Sequence, residues 1–274
     1  MPGIVGSIGN KEDAGLYGKM MQQINHFNYT QETFNHKGIY LGRLHLNYIN
    51  TKEQPVFTYD RRYALTMIGE LFNYDGSPIP AKENHSFFFL KNYLEKGMNF
   101  LSKLNGHFTV SIYDFLENKL ILISDRIKIK PLYYTKTKHR FAYSPEVKGL
   151  IELGFKKDLN YQAVSELFSY GHILGDNTLF VNAKQLPPSS CLIYQNGEIK
   201  IHKYWKPPFN ESAYLSGNKN NIKFEYWAER LYNLFMQGVE RNLYDHRDKV
   251  KIFSCKKRIS NKLYMQQSIM ANNA

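Results

Sequence analysis

Cysteine is scarce in this chain, and its scarcity narrows the possibilities. Only Cys191 and Cys255 occur in 274 residues, far apart and without a C-x-x-C pair. That excludes a disulfide framework, argues against a structural zinc site and fits a reducing compartment. No apolar run reaches the about 18 residues needed to span a bilayer. No basic stretch near the N-terminus leads into a long apolar one, so no secretory signal is read there. These absences predict a cytoplasmic protein with no membrane partner. Acidic residues are missing from 249–274, where Lys249, Lys251, Lys256, Lys257, Arg258 and Lys262 have no counter-charge in the same stretch. Such a run is more often a solvated tail than a binding site.

What is present is apolar and basic. A hydrophobic content of 43% over 274 residues is enough for one large core or two smaller ones. The net charge of +12 raises nucleic acid or an anionic surface as a partner. The charge is widely spread and no nucleic-acid-binding module is recognised, so nucleic acid is not the expected partner.

Leu16, Met20, Met21 and Ile24 fall at helical spacing and predict an amphipathic helix over 12–26. Residues 39–41 and 44–46 read as a strand pair, and 63–68 as a strand ending at Gly69. A second helix is read at 86–93, capped by Glu95-Lys96-Gly97. Residues 108–113, 119–124 and 141–144 read as further strands, the first two joined as a hairpin through Leu116-Glu117-Asn118. Antiparallel strands with helices to one side predict an α+β layered domain. A linker rich in Pro, Ser, Gly and Asn follows over 207–223. It leads to a helix at 224–243 with Trp227, Leu231, Leu234 and Phe235 on one face.

Several short segments recur in an order that carries information. They begin with Met1-Pro2-Gly3-Ile4-Val5-Gly6-Ser7-Ile8-Gly9, followed by Gln54-Pro55-Val56 and Gly69-Glu70-Leu71-Phe72-Asn73-Tyr74. Leu104-Asn105-Gly106-His107-Phe108 comes next, then Asp125-Arg126-Ile127-Lys128-Ile129-Lys130-Pro131-Leu132-Tyr133-Tyr134 and Ser144-Pro145-Glu146-Val147-Lys148. Thr178-Leu179-Phe180, Leu186-Pro187-Pro188 and Lys203-Tyr204-Trp205 close the set. Together they resemble the class II glutamine amidotransferases, and glutamine-hydrolysing asparagine synthetase in particular. The one departure inside the longest segment is Lys128, where the family has Gly. The resemblance implies the four-layer αββα sandwich of antiparallel sheets of N-terminal-nucleophile hydrolases, as a glutaminase-like domain over 1–206. It makes 224–274 a truncated remnant of the synthetase domain.

The resemblance also identifies what has changed. In the family the initiator Met is removed, and the Cys that follows is both nucleophile and N-terminal amine. Here that position is Pro2, whose ring has no thiol, so no thioester with glutamine can form. A prolyl amine can act as a base, but without an adjacent nucleophile or oxyanion donor it has nothing to activate. Ile68 replaces the Asn that supplies half of the oxyanion hole, and losing one such donor costs on the order of 10²–10³ in rate. His85 stands where an Asp receives the substrate ammonium. The His-Arg-Gly-Pro-Asp segment is eroded to His26-Phe27-Asn28-Tyr29-Thr30.

Arg43 is kept at the position of the family's partner for the glutamine α-carboxylate, where a bidentate fork is suited. Gly69 and Glu70 match positions that contact substrate. Arg43 and Glu70 also fit ordinary structural ion pairing. The expectation is therefore a vestigial glutamine site of Arg43, Gly69, Glu70 and His85, with no catalytic residue. The family's Ser-Gly-Gly-x-Asp-Ser loop, whose backbone cradles ATP pyrophosphate, is reduced to Ser254 after a strand expected at 251–253. No ATP site, metal or cofactor is expected.

The function expected is that of an asparagine-synthetase-like protein whose degenerate amidotransferase domain serves as a binding or scaffolding module without hydrolase activity. β-Lactam synthetase also carries a glutaminase-like domain without the nucleophile, so the fold can outlive the activity. Glutamine or a related amino acid would bind weakly if at all. A separate synthetase-type subunit, or a second copy, would dock on helix 224–243. Two alternatives remain open at this point. One is a truncated or frameshifted remnant of a glutamine-dependent asparagine synthetase, and the other is an amino-acid-binding enzyme of altered chemistry using Arg43 and Glu70.

Overall fold

The structure is a computed structural model and describes residues 2–10, 13–47, 49–80, 82–207 and 224–243. The chain divides into two compact units, Met1–Lys219 and Asn220–Ala274. The first contains, in chain order, β1 (Gly3–Ile8), α1 (Ala14–Ile24), β2 (Thr30–His36), β3 (Ile39–His45), β4 (Val56–Phe57), β5 (Tyr63–Tyr74) and β6 (Ser77–Pro78). Next come α2 (His85–Lys96), β7 (Leu104–Asp114), β8 (Lys119–Ser124), β9 (Tyr133–Lys136), β10 (Phe141–Ser144) and α3 (Val147–Ile151). The unit closes with α4 (Tyr161–Tyr170), β11 (Ala183–Gln185), β12 (Ser190–Gln195) and β13 (Glu198–Lys203).

The strands form two antiparallel sheets, in the orders β11-β9-β10-β1-β3-β2 and β13-β12-β8-β7-β5-β4, with β6 paired to β5. Three apolar clusters mark three interfaces between four layers. Between the sheets lie Ile4, Leu41, Ala64, Ile68, Leu122, Phe141 and Tyr143. On the far side of the first sheet, Val5, Tyr40, Leu44 and Ala142 meet Tyr17, Met20, Met21 and Ile24 of α1 and Leu150 of α3. On the far side of the second, Leu65, Met67, Val110, Ile112 and Ile123 meet Phe89 and Leu90 of α2. Neighbouring residues such as Ile4 and Val5, or Ala64 and Leu65, thus enter different cores, because side chains alternate along a strand. Both faces of these strands are covered, and each buried Leu or Ile contributes about 1.5–3 kcal/mol. The four-layer αββα arrangement is the one implied by the resemblance.

Several expectations change in detail. Residues 39–46 are not a strand pair: Ile39–His45 is a single strand. Gly42 marks close packing there rather than a turn, since a Cβ on it would lie 2.3 Å from the Tyr17 hydroxyl. β3 pairs with β1 on one side and on the other with the polar β2, a stretch that shows no apolar alternation because β2 is the sheet's outer strand. The strand expected to end at Gly69 runs on to Tyr74, with Gly69 at φ +101°. The second helix is capped by Asn84, whose side chain accepts the Phe87 N–H at 3.1 Å. It ends at Gly97, as expected.

The second unit contains α5 (Phe224–Leu243). Phe224, Trp227, Leu231, Leu234 and Phe235 are exposed on it. The linker expected over 207–223 lies outside the described residues beyond Pro207, as do Ser254 and the strand expected at 251–253.

Candidate functional site

Five of the expected site residues gather along β5. Ile68, Gly69 and Glu70 are consecutive on it, Arg43 reaches it from β3, and His85 reaches it from the first turn of α2.

Arg43 is wholly buried between its two neighbouring strands, opposite Ile4 on one side and Glu32 on the other. Its Nε donates to Glu32 Oε2 at 2.5 Å. Nη2 donates to the Lys52 carbonyl at 2.7 Å, and Nη1 to the carbonyls of Asn50 at 2.8 Å and Met67 at 3.5 Å. The guanidinium is thus engaged on every side by protein acceptors. Glu32 also accepts the Gln54 N–H at 3.2 Å. The Gln54 side chain in turn accepts the Met67 N–H at 2.6 Å, which ties this ion pair to β5. His45 Nε2 lies 3.5 Å from Glu32 Oε1. Burial first, and then the Arg43 charge, pull the His45 ring below the ordinary histidine range, outweighing the pull of Glu32.

Ile68 is buried in the core between the sheets, beside Gly69. Gly69 must be glycine: at φ +101° a Cβ would lie 1.9 Å from the His107 carbonyl oxygen. Glu70 pairs across the strands with His107. Burial, as the largest influence, lowers the His107 pKa. His85 is buried and held at both nitrogens. Its Nδ1 accepts the Leu71 N–H at 3.2 Å, so the proton sits on Nε2 and is donated to the Pro80 carbonyl at 3.1 Å. That fixes a neutral imidazole.

Pro2 is half-buried and directly precedes β1, two residues before Ile4. A Cβ on the intervening Gly3 would lie 2.4 Å from Pro145, so the Pro145 ring packs against that backbone. Close in sequence to Pro145, Glu146 meets His26 Nε2 at 2.9 Å, and Lys148 Nζ lies 3.2 Å from His26 Nδ1. The eroded His26 segment and the Ser144–Lys148 segment are therefore neighbours in space. Glu32, His45 and Gln54 were not expected at the site. Gln54 carries a local signal as the first residue of the Gln54-Pro55-Val56 segment, whereas Glu32 and His45 are placed by the β2–β3 register, which no local pattern encodes.

Among the described residues no cluster of His, Cys, Asp or Glu has the arrangement of a metal site. No helix there is long and apolar enough to cross a membrane.

Two face-to-face antiparallel sheets between helical layers define the N-terminal-nucleophile type of sandwich. The glutamine phosphoribosylpyrophosphate amidotransferase of Bacillus subtilis, solved with ADP and GMP, shares it at a TM-score of 0.50 and 15% identity over 74% of this chain and 49% of that one. A structure of the allosteric regulatory enzyme of purine biosynthesis aligns at 0.51 and 14%, over 74% and 49%. Residues 1–205 match the glutamine amidotransferase domain model, and the chain belongs to that family. Asparagine synthetase [glutamine-hydrolyzing] 2 of Bacillus subtilis is 27% identical over 206 residues, 70% of this chain and 27% of that protein. Asparagine synthetase [glutamine-hydrolyzing] 3 of the same organism is 25% identical over 66% of this chain and 30% of that one. A putative counterpart from Methanocaldococcus jannaschii is 27% identical over 53% and 30%. The amidotransferase domain is thus homologous to that of asparagine synthetases, and the chain spans under a third of the length of these relatives.

Proposed function

We propose that this chain is an asparagine-synthetase-like protein whose amidotransferase domain does not hydrolyse glutamine and serves as a binding or scaffolding module. The observation that carries the reading is Ile68. An apolar side chain packed in the core between the sheets stands where the family has its oxyanion amide. Pro2 supports the reading, since its ring offers no thiol for acyl transfer. The neutral, doubly bonded His85 supports it as well, because it brings no negative charge to a substrate ammonium.

The test is ammonia release from glutamine, measured on the native protein beside a Pro2→Cys, Ile68→Asn double variant. Activity only in the variant is the expected result. Ammonia release by the native protein at a rate typical of hydrolases overturns the proposal.

The apolar face of α5, with Trp227, Leu231, Leu234 and Phe235, fits a synthetase-type partner or a second copy in a reducing, cytoplasmic setting. Co-purification from the native source reads this directly. Sequencing the DNA beyond codon 274 separates it from the alternative in which this segment is a remnant of a longer synthetase frame.

A further inference from the structure

The surroundings of the Glu32 carboxylate are richer in donors than an ion pair needs. One oxygen takes Arg43 Nε and the Gln54 N–H, and the other faces His45 Nε2 at 3.5 Å. His45 is 3% exposed, and neither of its ring nitrogens has a hydrogen-bond partner among the described residues. Gln54 is equally buried at 3%, and its Nε2 is likewise unpartnered there. Buried polar atoms without partners are uncommon, and the His45 ring, unpartnered among the described residues and 3.5 Å from a carboxylate that already takes Arg43 Nε and the Gln54 N–H, completes a recess built for an anion.

The carboxylate filling that recess arrives from the edge of the sheet. Among the described residues β2 is hydrogen-bonded on one flank only, and Thr30, Gln31, Thr33, Asn35 and His36 are all exposed. Of its side chains, only Glu32 and Phe34 turn inward far enough to be partly covered. Glu32 is therefore the point at which an otherwise solvent-facing strand inserts an anion into the domain.

We propose that Arg43, the Gln54 N–H and His45 form a carboxylate-binding site that the chain occupies with its own Glu32. Glu32 is then a specificity-determining residue. While it is in place, free amino acids and other small carboxylates must compete with it for Arg43 and bind weakly, and without its carboxylate the site accepts one directly. The inference deepens the reading of a non-hydrolysing binding module given above, and rests on it.

Chemical rescue tests it without reference to catalysis. Glu32→Ala removes the internal anion and leaves space beside Arg43, so its melting temperature falls. Titration with sodium acetate should raise that temperature saturably, beyond what matched sodium chloride does. Native protein and Glu32→Gln, in which the recess stays filled, should respond alike to the two salts. Equal response of Glu32→Ala to acetate and chloride overturns the proposal, as does an acetate-specific rise in the native protein. If Glu32→Ala does not accumulate folded, its refolding yield from urea in acetate against chloride gives the same reading, and equal yields reject it. Ammonia release in the earlier assay would leave this outcome unaffected, so the two proposals fail separately.

Discussion

Arg140 holds Asp13 through two parallel hydrogen bonds, Nε to Oδ2 at 2.8 Å and Nη2 to Oδ1 at 2.7 Å. Asp13 Oδ2 also accepts the Asn10 N–H at 3.0 Å. The pair thereby fastens the loop before α1 to the turn between β9 and β10. Hydrogen bonding from Arg140, the largest influence, holds the Asp13 carboxyl below its usual range against the opposing effect of burial. A depressed carboxylate stabilises the fold above its unfolded pKa of about 3.9, and that stability is lost as pH falls through the lower folded value. Asp13→Asn should therefore cost about 1–2 kcal/mol at neutral pH, because Arg140 remains partly in water and its interaction is screened. Urea unfolding of both proteins at neutral pH and near the acid end of the transition should show the gap closing. A gap of constant size would show that the carboxylate charge is not what matters.

His85 contributes an acceptor to the backbone of β5 where the strand pairing shifts between Leu71 and Asn73. His85→Ala leaves the buried Leu71 N–H without that acceptor and should destabilise by about 1–3 kcal/mol. His85→Asn can place an amide oxygen near the position of Nδ1 and should recover part of the loss. Urea midpoints of the two variants compare them, and equal losses would mean that packing, not the hydrogen bond, sets the cost.

Lys128 has φ +58°, a conformation natural to glycine, and its Nζ donates to Gln185 Oε1 at 2.7 Å. Replacing Lys128 by either Gly or Ala removes the Gln185 contact, so the difference between the two variants isolates the backbone. Gly should be the more stable by about 1 kcal/mol, the left-handed penalty outweighing glycine's extra freedom in the unfolded chain. Thermal melts of the two should separate by several degrees in that order; the reverse order would remove the strain argument.

What the sequence revealed depended on range. Elements with one local signature were readable: Lys119–Ser124 as an apolar strand, Phe141–Ser144 likewise, and α2 up to Gly97. The family's glycine at position 128 was readable as a departure, and its reason, the positive φ, is visible only in three dimensions. The β12–β13 hairpin does carry a local signature, Asn196-Gly197 with φ +51° and +78°, which is the usual turn for one. β2 was hidden for a physical reason, since an edge strand with exposed polar side chains carries no hydrophobic period. At the site, Arg43, Gly69 and His85 stood out by resemblance. Glu32 did not, because its position opposite Arg43 depends on strand register, which is fixed by long-range pairing.

β1 lies in the middle of its sheet, bonded to β10 on one edge and β3 on the other. Leading segments of most domains loosen first and exchange their amide protons freely. Here Gly6 to Ile8 are flanked by paired strands on both sides, so deuterium should enter their hydrogen-bonded amides only when the whole sheet opens. The earliest described stretch of the polypeptide is thus among the last to come apart.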